Sequence, residues 1–235
     1  GVWLAFLDSD DEWLPGKLQR QHDQLTALDE TYAMVTCAAR VQRLSKPPFD
    51  SAWPAETTNA GRREVSAQAL TACLSGYLQT VLVRRAALDA LGRFDEQYPC
   101  SSDLDLFLRL VQRYRIADGG FTGVLIHETF GSLTGQSDKT LRGKRRILER
   151  HGHWFQPAQR AQLYYSIAVG ECLLGRRQAA LDAFRACLKD DPKHRRARMV
   201  ARATFLSVDL ARFGILLYYR IARRRPDLIG NPPSA

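Results

Sequence analysis

The sequence predicts an α/β unit over residues 1–137, a basic helical linker over 138–156, and an all-α region over 157–235. Three observations lead there. An apolar run at the start ends abruptly in carboxylates. Further short apolar runs then alternate with amphipathic stretches. From residue 157 onward the chain turns Ala-rich with helical spacing. A chain of 235 residues that is 45% hydrophobic and 25% charged can bury one core and carry a smaller helical annex.

Residues 2–7, "VWLAFL", form a short continuous apolar run and read as a strand buried on both faces of a mostly parallel sheet. Parallel strands need crossover helices, so the sheet is expected to have partners upstream of residue 1, and the chain is expected to be the C-terminal part of a longer one. Residues 14–28 read as a helix and "YAMVTCAARVQRL" as a strand. "SKPPFDSAWPAETTNAGRRE" is rich in Pro, Ser, Thr and Gly and reads as a long loop, of a length that is usually functional or mobile. "VSAQALTACLSG" reads as a helix and "LQTVLVRR" as a strand. "AALDALGRF" is a short helix stopped by Gly92 in the C′ position. "DLDLFLRLVQRY" is an amphipathic helix with Leu104, Phe107, Leu108 and Val111 on one face.

The carboxylates after the first strand need a reason. In open α/β sheets, ligands bind outside the carboxyl ends of the strands. Asp8 and Asp10 are two apart and point the same way in extended geometry. Two converging carboxylates repel unless a cation sits between them, and a hard ion such as Mg²⁺ or Mn²⁺ suits oxygen ligands alongside substrate phosphates. The other reading is a helix cap, with Asp11 or Glu12 favouring the dipole of the helix that follows.

The whole block "FLDSDDEWLPGKLQRQ" resembles the Asp-x-Asp segment of family 2 glycosyltransferases of the GT-A fold, including the tryptophan, the proline and the lysine-leucine. A second block, "GRFDEQYPCSSDLDLFLRL", resembles that family's Gly-x-Phe-Asp-Glu segment followed by Glu-Asp-x-Asp-Leu-x-Leu-Arg. Asp103 takes the position of the catalytic base. Asp105, Leu106, Leu108 and Arg109 match the rest, and Ser102 departs from the usual Glu. The helix alone offers another reading, in which Asp103 caps it or favours its first turn.

The resemblance implies an incomplete GT-A domain that lacks its N-terminal nucleotide-binding half. It implies an inverting, metal-dependent hexosyl transfer from a nucleotide-diphosphate sugar to a hydroxyl on a saccharide or lipid-linked acceptor, in cell-surface polysaccharide or glycoconjugate synthesis. Asp10 with Asp8 would hold the divalent ion. Asp11, Trp13, Asp105 and Arg109 would line the substrate site. Relatives carry a His shortly before a Gly-Ser-Leu-Ser-like stretch, and "GSLTG" matches at 131–135. The expected His position is nearer Thr129, and His127 lies two residues earlier. His127 either reaches the metal or diphosphate, or is a strand-end histidine with no ligand.

In the tail, Ala180, Phe184, Cys187 and Pro192 have the spacing of the second helix and closing proline of a tetratricopeptide (TPR) repeat, with small Ala168 on the first helix. Gly214, Tyr218, Ile221 and Pro226 repeat that spacing as a degenerate second copy. A plain helical hairpin without repeat identity is the alternative. Five cysteines with no Cys-x-x-Cys read as reduced thiols in a cytoplasmic setting. No apolar stretch reaches the length of a membrane span. The net charge of +9 gathers in "RGKRR", "KHRRAR" and "RIARRR". It reads as a solvated helix face or as contact with the anionic inner face of the cell membrane. The charge comes with no helix-turn-helix, zinc finger or aromatic RNA-binding signature, so nucleic acid is not expected as a partner. A second functional class stays open: a non-catalytic scaffold whose TPR-like tail binds a protein partner beside an inert transferase remnant.

Overall fold

The computed structural model describes residues 1–42, 49–51, 56–57, 63–73, 77–127 and 138–224. The chain divides into two compact units, Gly1–Gly135 and Gln136–Ala235.

The first unit is a mixed sheet with helices. Its strands are β1 (Trp3–Ala5), β2 (Glu12–Trp13), β3 (Tyr32–Gln42), β4 (Phe49–Ser51), β5 (Glu56–Thr57), β6 (Arg63–Glu64), β7 (Val81–Arg84) and β8 (Arg115–His127). The helices are α1 (Lys17–Thr26), α2 (Ala67–Cys73), α3 (Arg85–Ala90) and α4 (Ser102–Val111). The sheet order is β1-β7-β3-β8-β6-β5, with β2 added on β8 and β4 on β3.

The first strand is not the buried parallel strand that its composition suggests. β1 is three residues long, half-buried, and lies at the end of the strand order, antiparallel to β7. β7 is antiparallel to β3 as well, and the parallel pairing among the described residues is β3 with β8. One face of β1 is nevertheless apolar. Trp3 and Ala5 pack on the buried cluster of Leu25, Tyr32, Val35 and Leu82, and the Arg84 guanidinium covers the Trp3 ring at 4.5 Å.

β3 is buried through most of its length because it is flanked on both sides, by β7 and β8. β8 is a thirteen-residue strand interrupted by glycines. Those glycines let it approach closely: a Cβ on Gly119 would sit 2.7 Å from the Thr36 carbonyl oxygen, and one on Gly123 would sit 2.8 Å from Cys37 Sγ. Register shifts between β3 and β8 fall between Tyr32 and Met34, where β3 carries the extra residue, and from Thr36 to Ala39, where β8 does. Residues 45–64, expected as a loop, include three short strands, β4, β5 and β6. α1 begins at Lys17 with Gly16 at its N-cap in the left-handed region, so neither Asp11 nor Glu12 caps it. Gly92, also left-handed at φ 78°, follows α3 as expected. Thr129 and the "GSLTG" stretch lie outside the described residues.

The second unit contains α5 (Asp138–His151), α6 (Pro157–Leu173), α7 (Arg177–Asp190), α8 (Arg195–Leu206) and α9 (Val208–Arg224). The segment expected as a linker is instead part of this unit. Leu141, Ile147, Leu148 and His151 of α5 are buried, Lys144 Nζ donates to Ser166 Oγ at 2.6 Å, and Arg145 pairs with Glu171 at 3.0 Å. Ala168, Ala180, Phe184 and Cys187 are fully or almost fully buried between the helices, as their spacing predicts. A two-pronged ion pair from Arg160 to Asp190, at 2.8 and 3.0 Å, ties the start of α6 to the end of α7. The degenerate second copy is out of register: Gly214 and Tyr218 are exposed, while among the described side chains of α9 Ala211 and Ile215 are buried. The Ile221 side chain and Pro226 lie outside the described residues.

Candidate active site

The acidic loop leaves β1, turns back through an Asp11 N–H to Asp8 carbonyl bond of 3.2 Å, and enters β2 on the rim of β8. That turn separates the fates of its carboxylates. Asp8 and Asp10 stay exposed, while Asp11 is buried. Asp11 Oδ1 accepts the backbone N–H of His127 at 3.0 Å, so the end of β8 is latched to the loop.

The group that joins the carboxylates is Gln79, which sequence reasoning missed. Its side-chain amide donates to Asp8 Oδ2 at 2.7 Å and also to Asp11 Oδ2. Its own carbonyl accepts the indole N–H of Trp13 at 3.2 Å. Gln79 sits in a short 3-10 turn, Leu78–Thr80, directly before β7. Thus the pair brought together on one donor is Asp8 with Asp11, while Asp10 remains on the solvent side of the loop. Partial desolvation against the loop holds the Asp8 carboxyl above its ordinary range, and the charges of Asp11 and then Asp10 push it further. Three carboxylates therefore crowd one short loop.

Asp103 joins this cluster from α4. It lies in the first turn of the helix, half-buried, and one carboxyl oxygen accepts the Leu104 backbone N–H at 2.8 Å. Its pKa is raised to about 6. Burial is the main cause, backbone hydrogen bonds counteract it, and the charge of Asp8 adds to the rise. The Phe6 and Phe94 rings meet edge-to-face at 5.7 Å, linking the end of β1 to the segment that leads into α4. The two sequence blocks thus converge in space.

The other expected residues sort differently. Asp105 is fully buried and accepts from Arg109 Nε at 2.8 Å, while the same guanidinium donates to the carbonyls of Leu91 and Arg93 at 2.7 and 2.6 Å. This pair clasps α4 to the end of α3. Three of the guanidinium's donors are thus engaged within the scaffold. Trp13 is half-buried on Cys37, Ala39 and Val124, so its indole also serves the core. His127 is partly exposed at the strand end, with Nε2 3.1 Å from Glu12 Oε1.

Beneath the loop lies a second polar layer. Lys17 is buried, donates to Gln21 Oε1 at 2.8 Å, and places its ammonium 4.7 Å from the Trp13 ring centre. Gln21 in turn donates to the carbonyls of Val35 and Thr80 at 3.1 and 2.8 Å. Burial lowers the Lys17 pKa to about 8 and raises that of Cys37 to about 11. The network braces α1 against β3 and the 3-10 turn that presents Gln79.

Among the described residues, no group of three or more His, Cys, Asp or Glu side chains is arranged to hold a metal. The exposed pair Asp8 and Asp10 offers two carboxylates. That is the number a Mg²⁺ site draws from protein when phosphates and waters complete the shell. Two exposed carboxylates on one loop match that number, and the repulsion that Asp11 and Asp10 exert at Asp8 is of the kind a cation would relieve. Comparison with known proteins adds no family: no protein-family model and no curated protein matches the chain.

Proposed function

We propose that the first unit carries the metal and acceptor side of an inverting, metal-dependent glycosyltransferase site of the GT-A type, family 2. The observation that carries this reading is the convergence of the Asp8–Asp11 loop with Asp103, whose carboxyl feels the charge of Asp8. Asp10, with help from Asp8, would hold Mg²⁺ or Mn²⁺. The bound ion would supply neutralising charge to the diphosphate of a nucleotide-sugar donor.

The chain's own groups would do the rest. Asp103 accepts the proton of an acceptor hydroxyl. Its pKa near 6 leaves it mostly ionised at neutral pH and still basic enough to help. The acceptor oxygen forms a bond to the anomeric carbon while the bond from that carbon to the diphosphate oxygen breaks. The bonding pair leaves with the diphosphate, and attack from the opposite side inverts the configuration. Gln79 positions Asp8 relative to Asp11, and the Asp11–His127 latch fixes the loop to the sheet. A hydroxyl on a saccharide or lipid-linked molecule is the acceptor class, and cell-surface polysaccharide or glycoconjugate synthesis is the setting.

The test pairs a binding measurement with a transfer measurement. Mn²⁺ titrated into the protein and followed by electron paramagnetic resonance should bind, and Asp10→Asn should weaken that binding and abolish transfer from nucleotide-diphosphate sugars. Transfer by Asp10→Asn equal to wild type would overturn the metal role. Mn²⁺ binding with no transfer to any acceptor hydroxyl would favour an inert remnant.

A further inference from the structure

α9 presents an apolar face with no described neighbour against it. Ala211 and Ile215 point inward at 3% and 7% exposure, while Leu210, Phe213, Leu216 and Leu217 are 53%, 65%, 51% and 44% exposed. Leu206, the last residue of α8, is 76% exposed just before α9 begins. Isolated exposed apolar side chains are ordinary, but a contiguous stripe of this kind marks a contact surface. Its charge setting identifies the contact. Between residues 193 and 225 the sequence has ten basic residues and a single acid, Asp209. Arg202 and Arg212 are exposed there, and α9 runs on to Arg224 within the basic stretch "RIARRR".

We propose that α9 docks on an anionic lipid surface, lying in the interface plane with Leu210, Phe213 and Leu217 among the acyl chains and the arginines on the headgroups. Apolar insertion combined with basic flanks is the chemistry of interfacial helices. Other occupants fit less well. A symmetric second copy would bring the same basic surface against itself, because a two-fold interface uses one patch twice. Nucleic acid would satisfy the arginines but leave the aliphatic stripe in water. No helix among the described residues is long and apolar enough to cross a bilayer. This inference rests on the helical unit alone and is independent of the transferase reading.

The experiment is co-sedimentation of the whole chain with phosphatidylcholine–phosphatidylserine vesicles and with phosphatidylcholine alone. Binding is expected to the first and not the second, and should fall as salt approaches 1 M, where screening acts over about 3 Å. The triple variant Leu210→Ser, Phe213→Ser, Leu217→Ser should bind at least about tenfold more weakly, with its helical circular dichroism retained. Should that variant lose its fold, Phe213→Trp gives a second reading: added fluorescence quenching by brominated lipid above the wild-type level. Several results would overturn the proposal. They are equal binding to neutral vesicles, unchanged binding by the triple variant, no added quenching, a dimer in sedimentation that the triple variant abolishes, or nucleic-acid binding with no loss on removing the apolar side chains.

Discussion

The Asp103 carboxyl sits where two demands conflict. The helix start favours its charge through the Leu104 N–H, while burial and Asp8 disfavour it. Its folded pKa of about 6 exceeds the ordinary carboxyl value of 3.8, so the folded state holds more protons between those values. Stability from this group is therefore greatest below that window and is lost as pH rises through it. Asp103→Asn should then raise the melting temperature at pH 7.5 more than at pH 4. The ceiling, from two pK units, is about 3 kcal/mol. The same variant should lower transfer by about 10²–10⁴-fold, and wild-type transfer should rise between pH 5 and 7 with a midpoint near 6. A variant that neither stabilises nor slows would leave Asp103 with the helix-start role alone. Gln79 makes a separate prediction. Gln79→Leu removes the donor shared by Asp8 and Asp11, leaves the buried Asp11 carboxylate short of a partner, and should cost about 1–3 kcal/mol in urea unfolding at pH 7. The loss should shrink in acid, where the Asp8 carboxyl, held above its ordinary range, takes up a proton and needs the amide less. Asp8 and Asp10 could be singled out by their spacing, and Asp103 by the family resemblance of its block. Gln79 could not, since it lies far along the chain in a run that reads as plain strand, and only the sheet order brings it back to the acidic loop.

At the scale of elements, contact between α5 and α6 depends on a missing side chain. A Cβ on Gly170 would lie 2.5, 3.0 and 3.2 Å from the Cδ2, Cδ1 and Cγ atoms of Leu141, a residue itself 1% exposed. The whole leucine would have to move within a packed interface. Gly170→Ala should therefore destabilise the helical unit by about 1–3 kcal/mol through overpacking, less up to about 1 kcal/mol regained in helix propensity. Combining it with Leu141→Ala tests the cause: the double variant should be more stable than the sum of the two single losses, and strict additivity would place the strain elsewhere. The sequence hid this interface. Six lysines and arginines between 138 and 151 suggested a solvated linker, although Leu141, Ile147 and Leu148 fall on one helical stripe. The same difficulty appears in α9. Glycine and tyrosine at the expected repeat spacing proved exposed, because Ala211 and Ile215 supply the small and branched groups that pack.

At the scale of the molecule, element types were legible where periodicity was clear, as in α1, α3, α4 and β3, whereas strand direction was not. An apolar triplet such as Trp3–Ala5 has the same composition whether its neighbour runs parallel or antiparallel, and the direction is set by β7, more than seventy residues later. The long β8 was obscured by the glycines that allow its close approach to β3 and α1. The boundary between units has a consequence of its own. If residues 138–156 were a linker, a fragment 155–235 would hold the complete helical unit. The structure instead buries Leu141, Ile147, Leu148 and His151 of α5 and ties that helix to α6 through Lys144–Ser166 and Arg145–Glu171. Removing it would strip the apolar cover from α6 and leave Glu171, 4% exposed, without its closer arginine. The apolar area returned to water, at about 25 cal/mol per Å², is a large part of what holds a unit of this size together. The fragment 136–235 is therefore expected to melt cooperatively by far-UV circular dichroism, whereas 155–235 should melt over a broad range at lower temperature and be cleaved quickly by protease. Equal cooperativity in the two fragments would show that α5 contributes little and would return residues 138–156 to the status of a linker.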